Sequence, residues 1–228
     1  TTTIFLCGDS TVVDQDNEPW ASWGQMFPWF FDTGVAVANY AESGERTDTF
    51  IGAGRLRKIL SVMQPGDYVF VEFGHNDQKI DKLPGKGAYY FFATQLKTFI
   101  DEVRAKGGIP VLVSPTHRRN FDKDGRIVET HLDYPEAMEW VAKREGVTFI
   151  DLPAMSAKFY EALGPETSKK AFVHYKAGSY GMSKDLADNT HFNPYGAFEL
   201  AKCVVGAMQV KGLDVAGHIV NFDGFNPS

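Results

Sequence analysis

The sequence predicts an α/β protein, a single three-layer α/β/α domain around a five-stranded parallel sheet. Five short apolar or β-branched runs alternate along the 228 residues with segments of helical periodicity. The runs lack polar alternation, which is typical of strands covered on both faces. No repeat, low-complexity tract or linker-like segment interrupts this order, so we expect one domain over residues 1–228. The simplest strand order is the flavodoxin-like 2-1-3-4-5.

The predicted strands and helices follow one another in β/α order. Strands are expected at residues 3–7, 35–39, 68–73, 109–113 and 147–151. Helices are expected at residues 22–31, 49–63, 89–105, 135–144, 153–163 and 194–210. Pro28 predicts a break in the first helix, and Gly52 and Gly54 loosen the second. Pro194 suits the first turn of the last helix.

Two segments lack any regular period. Residues 114–133 are rich in charge and are predicted to form a long loop over the active face. Residues 168–189 are predicted to be irregular, and residues 188–194 to form a loop that leads into the last helix.

Composition and charge exclude several classes of function. The formal net charge is -6 and the pI is near 5.5, which argues against a nucleic-acid partner because phosphate binding requires a basic face. No apolar run approaches the roughly 18 residues that a membrane span needs, so no membrane partner is expected. Cys7 and Cys203 are expected to be free thiols.

The first predicted strand ends at Gly8-Asp9-Ser10, and a serine at the end of this strand predicts a catalytic residue. Ligands of open α/β sheets bind outside the carboxyl ends of the strands, so Ser10 is expected to face a reactant. Ser10 is the candidate nucleophile. We expect it to begin a helix, with its backbone N–H available as a donor.

Two further turns are expected beside Ser10, because right-handed crossovers bring the ends of the first three strands together. Gly44 lies in the turn after the second strand, and Asn76 in the turn after the third. Ester cleavage requires donors for a developing oxyanion, and the Gly44 N–H and the neutral Asn76 amide are suitable. We therefore predict an oxyanion hole of Ser10, Gly44 and Asn76.

A base is required to accept the proton of Ser10, and His191 is the histidine best placed by sequence. Asp188 lies three residues earlier, near enough to accept a hydrogen bond from Nδ1 of His191. The Nε2 atom is then left to face Ser10. This arrangement predicts a Ser-Asp-His triad in chain order.

The same residues resemble a known family. In order and spacing, the four blocks of the GDSL or SGNH hydrolases are similar to Gly8-Asp9-Ser10, Gly44, Gly74-His75-Asn76-Asp77 and Asp188-x-x-His191. Thr11 replaces the leucine of the family name. The chain also resembles the rhamnogalacturonan acetylesterase branch of this family, at Trp23-Gly24, Ser43-Gly44-Glu45-Arg46 and Gly66-Asp67-Tyr68-Val69.

The resemblance implies a metal-independent serine esterase that needs no cofactor. It implies removal of acetyl groups from plant cell-wall pectin, through an acetyl-enzyme at Ser10. The partner is then an acetylated polysaccharide or oligosaccharide, and this substrate class suggests a secreted or periplasmic protein, with a monomer as the default. Asp9, His75 and Asp77 are expected to support the catalytic groups without reacting.

Positively charged groups are candidates for substrate binding, because galacturonate carboxylates suit guanidinium groups. Arg118 and Arg119 follow the fourth strand and are predicted to bind them. His174 is a further candidate for the pocket wall. His117, His131 and His218 are expected to be exposed or locally hydrogen-bonded.

Other functions compete with pectin deacetylation. An acetyl-xylan esterase or a broad short-acyl esterase or lipase fits the same superfamily, although the charged 114–133 loop does not suit a lipase lid. A metallophosphoesterase is suggested by Gly74-His75-Asn76-Asp77, but no Asp-x-His lies on the first strand for a two-metal site. A catalytically silent carbohydrate-binding domain is the alternative from a different class.

Overall fold

A computed structural model describes residues 1–225 and shows a central parallel sheet with helices on both faces. The seven strands are β1 (Thr2–Cys7), β2 (Val35–Asn39), β3 (Tyr68–Glu72), β4 (Ile109–Val113), β5 (Thr148–Ile150), β6 (Phe172–Tyr175) and β7 (Leu186–Phe192). The seven α-helices are α1 (Trp23–Met26), α2 (Thr47–Gly52), α3 (Arg55–Val62), α4 (Ala93–Ala105), α5 (Tyr134–Glu145), α6 (Leu152–Thr167) and α7 (Pro194–Val210). The predicted sheet order is confirmed as β2-β1-β3-β4-β5. Of the predicted domain, residues 226–228 lie outside the described part.

The sheet separates two hydrophobic cores, and β1 supplies side chains to both. Ile4 and Leu6 point into a core shared with α1, α6 and α7. Phe5 and Cys7 point into a core shared with α3, α4 and α5. Successive strand residues face opposite sides, so an unbroken apolar run is what a doubly covered strand requires. Cys7 and Cys203 are buried free thiols, as predicted.

Two of the predicted helices are interrupted where glycine or proline intervenes. The expected helix at 49–63 is instead α2 and α3, separated at Gly54, whose φ of 79° is left-handed and ends the helical path. The expected helix at 22–31 is the short α1 followed by a 3₁₀ turn over residues 27–30 that contains Pro28. In both cases a local backbone constraint overrides the apolar period.

The predicted irregular segment at 168–189 is wrong in part, because β6 and β7 form a two-stranded antiparallel sheet. Phe172 pairs with Phe192, whereas the next residue, Val173, pairs with Asp188. Residues 189–191 therefore bulge out of the ladder, and the predicted loop at 188–194 is a bulged strand that leads into α7. Strands as short as the four residues of β6, paired through a bulge, give little periodic signal, which explains the error.

The segment 114–133 contains neither α-helix nor extended strand, as predicted. It contacts the bulge of β7, where Arg119 N donates to Asn189 O at 2.8 Å. Within residues 1–225, no helix combines the length and the apolar character needed to cross a bilayer.

Candidate active site

Ser10 lies in a single turn directly after β1, not at the start of a helix as predicted. Val12 N and Val13 N both donate to Asp9 O, at 3.0 Å each. The Ser10 carbonyl accepts from the side-chain Nε2 of Gln15 at 2.8 Å. In an α-helix this carbonyl would accept from a backbone N–H four residues later, so the side chain of Gln15 replaces the next helical hydrogen bond.

Ser10, His191 and Asp188 form a continuous hydrogen-bonded chain. Ser10 Oγ lies 2.7 Å from His191 Nε2, and His191 Nδ1 lies 2.9 Å from Asp188 Oδ2. A carboxylate only accepts, so Nδ1 carries the proton and Nε2 presents its lone pair to the hydroxyl of Ser10. The structure thus brings together the three residues of the predicted triad.

Asp188 is held by the bulge of β7 as well as by the imidazole. Its Oδ1 accepts from the backbone N–H groups of Thr190 and His191, both at 2.9 Å, and Trp20 Nε1 donates to Oδ2 at 3.3 Å. Partial burial disfavours the carboxylate, but the hydrogen bonds and charge of His191 outweigh it and hold the pKa of Asp188 well below its ordinary value. Asp188 therefore remains ionised and fixes the orientation of the ring.

The turn that carries Gly44 is joined to the Ser10 turn through the backbone. Glu42 N donates to Gly8 O at 3.1 Å, and Ser43 lines the same cleft as Ser10. Gly44 has a φ of 80°, whereas a Cβ there would meet no atom within 4 Å. The left-handed backbone therefore favours glycine at this position.

Asn76 connects the third turn to the second. Its Nδ2 donates to Glu45 O at 3.1 Å, which occupies one of the two amide hydrogens. The backbone N–H groups of Ser10 and Gly44 make no hydrogen bond within residues 1–225. Three N–H donors from three turns are therefore free to bind an oxyanion.

A pair of buried carboxyl groups lies directly beneath the Ser10 turn. Thr11 Oγ1 lies 2.8 Å from Asp9 Oδ1 and 2.9 Å from Glu72 Oε2, and all three residues are buried. A hydroxyl has one hydrogen, so it cannot donate to both carboxyl groups. Burial and the nearby Asp9 carboxylate raise the pKa of Glu72 well above its ordinary value, so this pair retains a proton.

His75 continues the buried polar layer toward the 114–133 segment. Its Nδ1 lies 2.7 Å from His131 Nε2, and both rings are buried. Burial, followed by the neighbouring His131, lowers the pKa of His75 well below its ordinary value, so the ring is neutral. His131 and His117 are both buried, so neither is exposed. Each fits the other form of the expectation, a local hydrogen bond, because His131 N donates to Glu129 Oε1 at 2.6 Å and His117 N donates to Ser156 Oγ at 3.1 Å.

Asp77 holds the Asn76 turn against the start of α2. Its Oδ2 accepts from Thr47 N at 2.9 Å and from Thr47 Oγ1 at 2.6 Å. Burial raises the pKa of Asp77 to about 6, against an ordinary value of 3.8. The supporting role predicted for Asp77 has this structural form.

The residues predicted to bind substrate lie outside the lining of the cleft at Ser10. The half-buried Arg118 donates to Thr130 Oγ1 at 3.0 Å. Arg119 donates to Asn189 Oδ1 at 2.9 Å and to the carbonyl of Pro165 at 2.7 Å. His174 Nε2 lies 2.7 Å from the same Asn189 oxygen. Arg118 thus joins two parts of the 114–133 segment, whereas Arg119 and His174 link that segment, α6 and β6 to β7.

An open cleft of about 890 Å³ leads to the predicted triad. Its lining is polar and aromatic and consists of Ser10, Gln15, Asp16, Asn17, Glu18, Trp20, Ser43, Tyr180, Met182, Asp188 and His191. Within residues 1–225 the lining includes three carboxylic acids and neither lysine nor arginine.

Sequence reasoning missed Gln15, Thr11 and Trp20, each of which supports the triad turn. The signals for them were weak. Trp20 belongs to an aromatic segment that is interpreted most simply as core, and Gln15 to a polar stretch without periodicity. Thr11 was visible only as a departure from the leucine of the family name.

Comparison with known sequences gives one family and several relatives. A sequence model of the GDSL-like lipase/acylhydrolase family matches residues 6–197. The rhamnogalacturonan acetylesterase RhgT of Bacillus subtilis is 42% identical over 97% of this chain and 95% of its own length. A rhamnogalacturonan acetylesterase of Emericella nidulans is 27% identical over 92% of this chain and 86% of its own length.

Solved structures share the fold. The Bacillus subtilis protein YxiM superimposes with a TM-score of 0.81 at 28% identity, over 93% of this chain. The present chain spans only 57% of the length of that protein. The acetylxylan esterase Axe2 of Geobacillus stearothermophilus has a TM-score of 0.65 at 14% identity, over 94% of this chain and 95% of its own.

Proposed function

The chain belongs to the GDSL-like lipase/acylhydrolase family and is a carboxylic ester hydrolase, and on this premise we propose that it deacetylates rhamnogalacturonan in plant cell-wall pectin. The substrate class is supported by relatives that are named rhamnogalacturonan acetylesterases, at 42% and 27% identity. Because such a polymer is encountered outside the cell, we expect a secreted or periplasmic protein.

The observation that carries the proposal is the chain Ser10 Oγ, His191 and Asp188, with contacts of 2.7 Å and 2.9 Å. Ser10 Oγ attacks the acetyl carbonyl carbon while His191 Nε2 accepts its proton. The carbonyl oxygen becomes an oxyanion, which accepts hydrogen bonds from Ser10 N, Gly44 N and Asn76 Nδ2.

The tetrahedral intermediate collapses when His191 returns its proton to the departing sugar oxygen. This leaves an acetyl group on Ser10 and releases the free sugar hydroxyl. Water then attacks the acetyl carbon with His191 again as base, and acetate leaves as Ser10 regains its proton. Asp188 stabilises the imidazolium in both steps.

Exposed aromatic and polar groups support a carbohydrate in the cleft. Trp20 and Tyr180 both line it, and Tyr180 is 53% exposed. Aromatic side chains combine an apolar body with a polar tip, which suits the mixed surface of a sugar ring. The cleft is open, as access for a polymer requires.

The charge of the cleft favours a second candidate, deacetylation of a neutral polymer such as xylan. Asp16 and Glu18 line the cleft, and no basic side chain of residues 1–225 does. Carboxylates near a galacturonate would repel it, whereas neutral xylose units carry no charge to repel. Identity to named relatives supports the pectic substrate, and local electrostatics supports the neutral one.

Acetate release from acetylated rhamnogalacturonan and acetylated xylan tests both candidates. We expect Ser10→Ala to lower kcat/KM by at least about 10⁴-fold on the active substrate. Ser43→Ala is the matched control, since Ser43 lines the same cleft but makes no side-chain contact with His191. Equal activity of Ser10→Ala and the parent would refute the nucleophile, and release from xylan alone would select the second candidate.

A further inference from the structure

A cluster of two histidines and one glutamate lies at the ends of the 114–133 segment, outside the cleft. Glu129 Oε1 lies 3.4 Å from His131 Nδ1, and Glu129 Oε2 lies 3.9 Å from His117 Nδ1. One nitrogen from each histidine and one carboxylate oxygen all fall within 4.8 Å of one another. None of the three residues lines the cleft or contacts the Ser10, His191 and Asp188 chain.

The imidazole nitrogens that face this cluster make no hydrogen bond, although the Glu129 carboxylate lies near both. His117 Nδ1 and His131 Nδ1 are inaccessible to solvent and make no hydrogen bond. His131 is fully buried and His117 is 9% exposed. Buried polar atoms without a partner are uncommon in proteins, and two of them directed at one carboxylate indicate that a ligand is missing between them.

The spacing fits a tetrahedral transition-metal ion. A Zn²⁺ ion about 2.0–2.2 Å from each ligand sets the ligand atoms roughly 3.4 Å apart. The distance of 3.4 Å from Glu129 Oε1 to His131 Nδ1 equals this value. The distance of 3.9 Å from the other oxygen, Oε2, to His117 Nδ1 is longer, so binding requires a small shift of the exposed Glu129 side chain. Two nitrogens and one oxygen suit Zn²⁺, whereas Ca²⁺ and Mg²⁺ require mostly oxygen ligands. Glu129 is exposed, which leaves access for the ion and for a water as fourth ligand.

The surrounding hydrogen bonds permit His131 to offer a lone pair at Nδ1. Arg118 Nη1 donates to Thr130 Oγ1 at 3.0 Å, and the Gln78 amide, turned to present its oxygen, accepts from Nη1 and Nη2 at 3.1 Å. Arg118 Nη1 also lies 3.2 Å from His131 Nε2, but these two oxygen acceptors take both hydrogens of Nη1. His131 Nε2 can therefore carry the ring proton and donate it to His75 Nδ1 at 2.7 Å. Metal-bound histidines are held by such a bond on the other ring nitrogen.

We propose that His117, Glu129 and His131 bind a zinc ion that clamps the two ends of the 114–133 segment together. The ion stabilises the fold and takes no part in ester cleavage. Both ends are anchored in the protein, since His117 N donates to Ser156 Oγ at 3.1 Å and His131 contacts His75. The proposal is independent of the substrate and of the proposed function.

Zinc binding to the whole chain tests the site. Protein dialysed against chelator and then titrated with Zn²⁺ is expected to bind one tight equivalent, measured by calorimetry and elemental analysis. At a zinc concentration about 100 times the Kd, Tm is expected to rise by roughly 5–10 °C. Uptake of no zinc by the parent would overturn the proposal.

Four variants separate this site from other histidine–carboxylate pairs. Glu129→Gln and His117→Asn are expected to weaken zinc binding at least tenfold and so to cut the Tm rise to about half or less. His191→Asn removes the catalytic pair with Asp188, and His218→Asn removes an exposed pair with Asp32, and both are expected to retain the tight equivalent. Tight binding by Glu129→Gln, or its loss in His191→Asn, would overturn the proposal.

Glu129→Gln keeps the test valid if other variants fail to fold. Glu129 is exposed, and its Oε1 accepts from His131 N at 2.6 Å, a bond that a glutamine carbonyl oxygen also makes. We therefore expect its Tm in chelator to equal that of the parent. A folded Glu129→Gln chain that still gains the full Tm rise with zinc would contradict the clamp.

Discussion

Asp188→Asn is expected to disable His191 by forcing the wrong tautomer. The carboxylate uses Oδ1 to accept from Thr190 N and His191 N, both at 2.9 Å, and Oδ2 to accept from His191 Nδ1 at 2.9 Å. An asparagine keeps the two backbone bonds only if its oxygen takes the Oδ1 position. Its NH₂ group then donates to Nδ1 of His191, and the ring proton moves to Nε2, facing Ser10.

The cost of restoring the active tautomer follows from the same contacts. Turning the amide over would place its nitrogen against two backbone N–H donors, and each unsatisfied donor costs about 1–3 kcal/mol. The total of about 2–6 kcal/mol corresponds to a loss of roughly 30-fold to 10⁴-fold in kcat. In Ser-His-Asp triads, the loss in kcat on replacing the aspartate by asparagine is about 10⁴-fold, at the upper end of this range.

The assay is steady-state hydrolysis of a small acetyl ester, with Asp188→Ala as the comparison. Alanine removes the carboxylate but donates nothing to Nδ1, so the active tautomer stays accessible through water. We expect Asp188→Asn to be the slower of the two in kcat, with both variants folded by circular dichroism. An asparagine variant as fast as the alanine variant would refute the tautomer argument.

Three changes outside the triad have equally definite outcomes. Asn76→Ala removes one oxyanion donor and should lower kcat by about 10²–10³-fold with KM little changed; a loss confined to KM would contradict that role. Gly44→Ala forces a side chain into a φ of 80° and should cost about 1–2 kcal/mol, measured by urea unfolding, whereas Gly52→Ala in α2 should be neutral or stabilising. The pKa of Asp77 is about 6 in the folded chain against an ordinary 3.8, so its proton stabilises the fold fully below about pH 4, and this stabilisation is lost as the pH rises through 6. The parent should therefore lose about 2 kcal/mol more than Asp77→Asn between pH 4 and pH 7, and parallel profiles would refute the shift.

The strands of the sheet could be predicted because the signals for them lie close together in the sequence. Each central strand is covered on both faces, so its apolar run and the turn that ends it are visible in the sequence. The positions of Ser10, Gly44 and Asn76 follow from that order, since the carboxyl ends of neighbouring parallel strands share one edge. Their roles in ester cleavage stay predictions until the variants are measured.

The errors occurred where backbone geometry or partner choice overrides periodicity. Asp188 and His191 were predicted to lie in a loop, but they lie on a strand whose bulge at 189–191 brings the two side chains together. Ser10 was predicted to begin a helix, but the side chain of Gln15 takes the carbonyl that a helix would use. Neither competing contact has a periodic signal.

The amino-acid sequence by itself determined the five strands of the main sheet, the turns that follow the first three and the Asp188-x-x-His191 spacing, because these depend on neighbours along the chain. The tertiary structure alone decided which polar groups are buried together. Thr11 contacts Glu72, which is 61 positions away in the sequence. His131 contacts His75, which is 56 positions away. The partner of a buried polar group is chosen by distance in space, and the packing of the whole chain sets that distance.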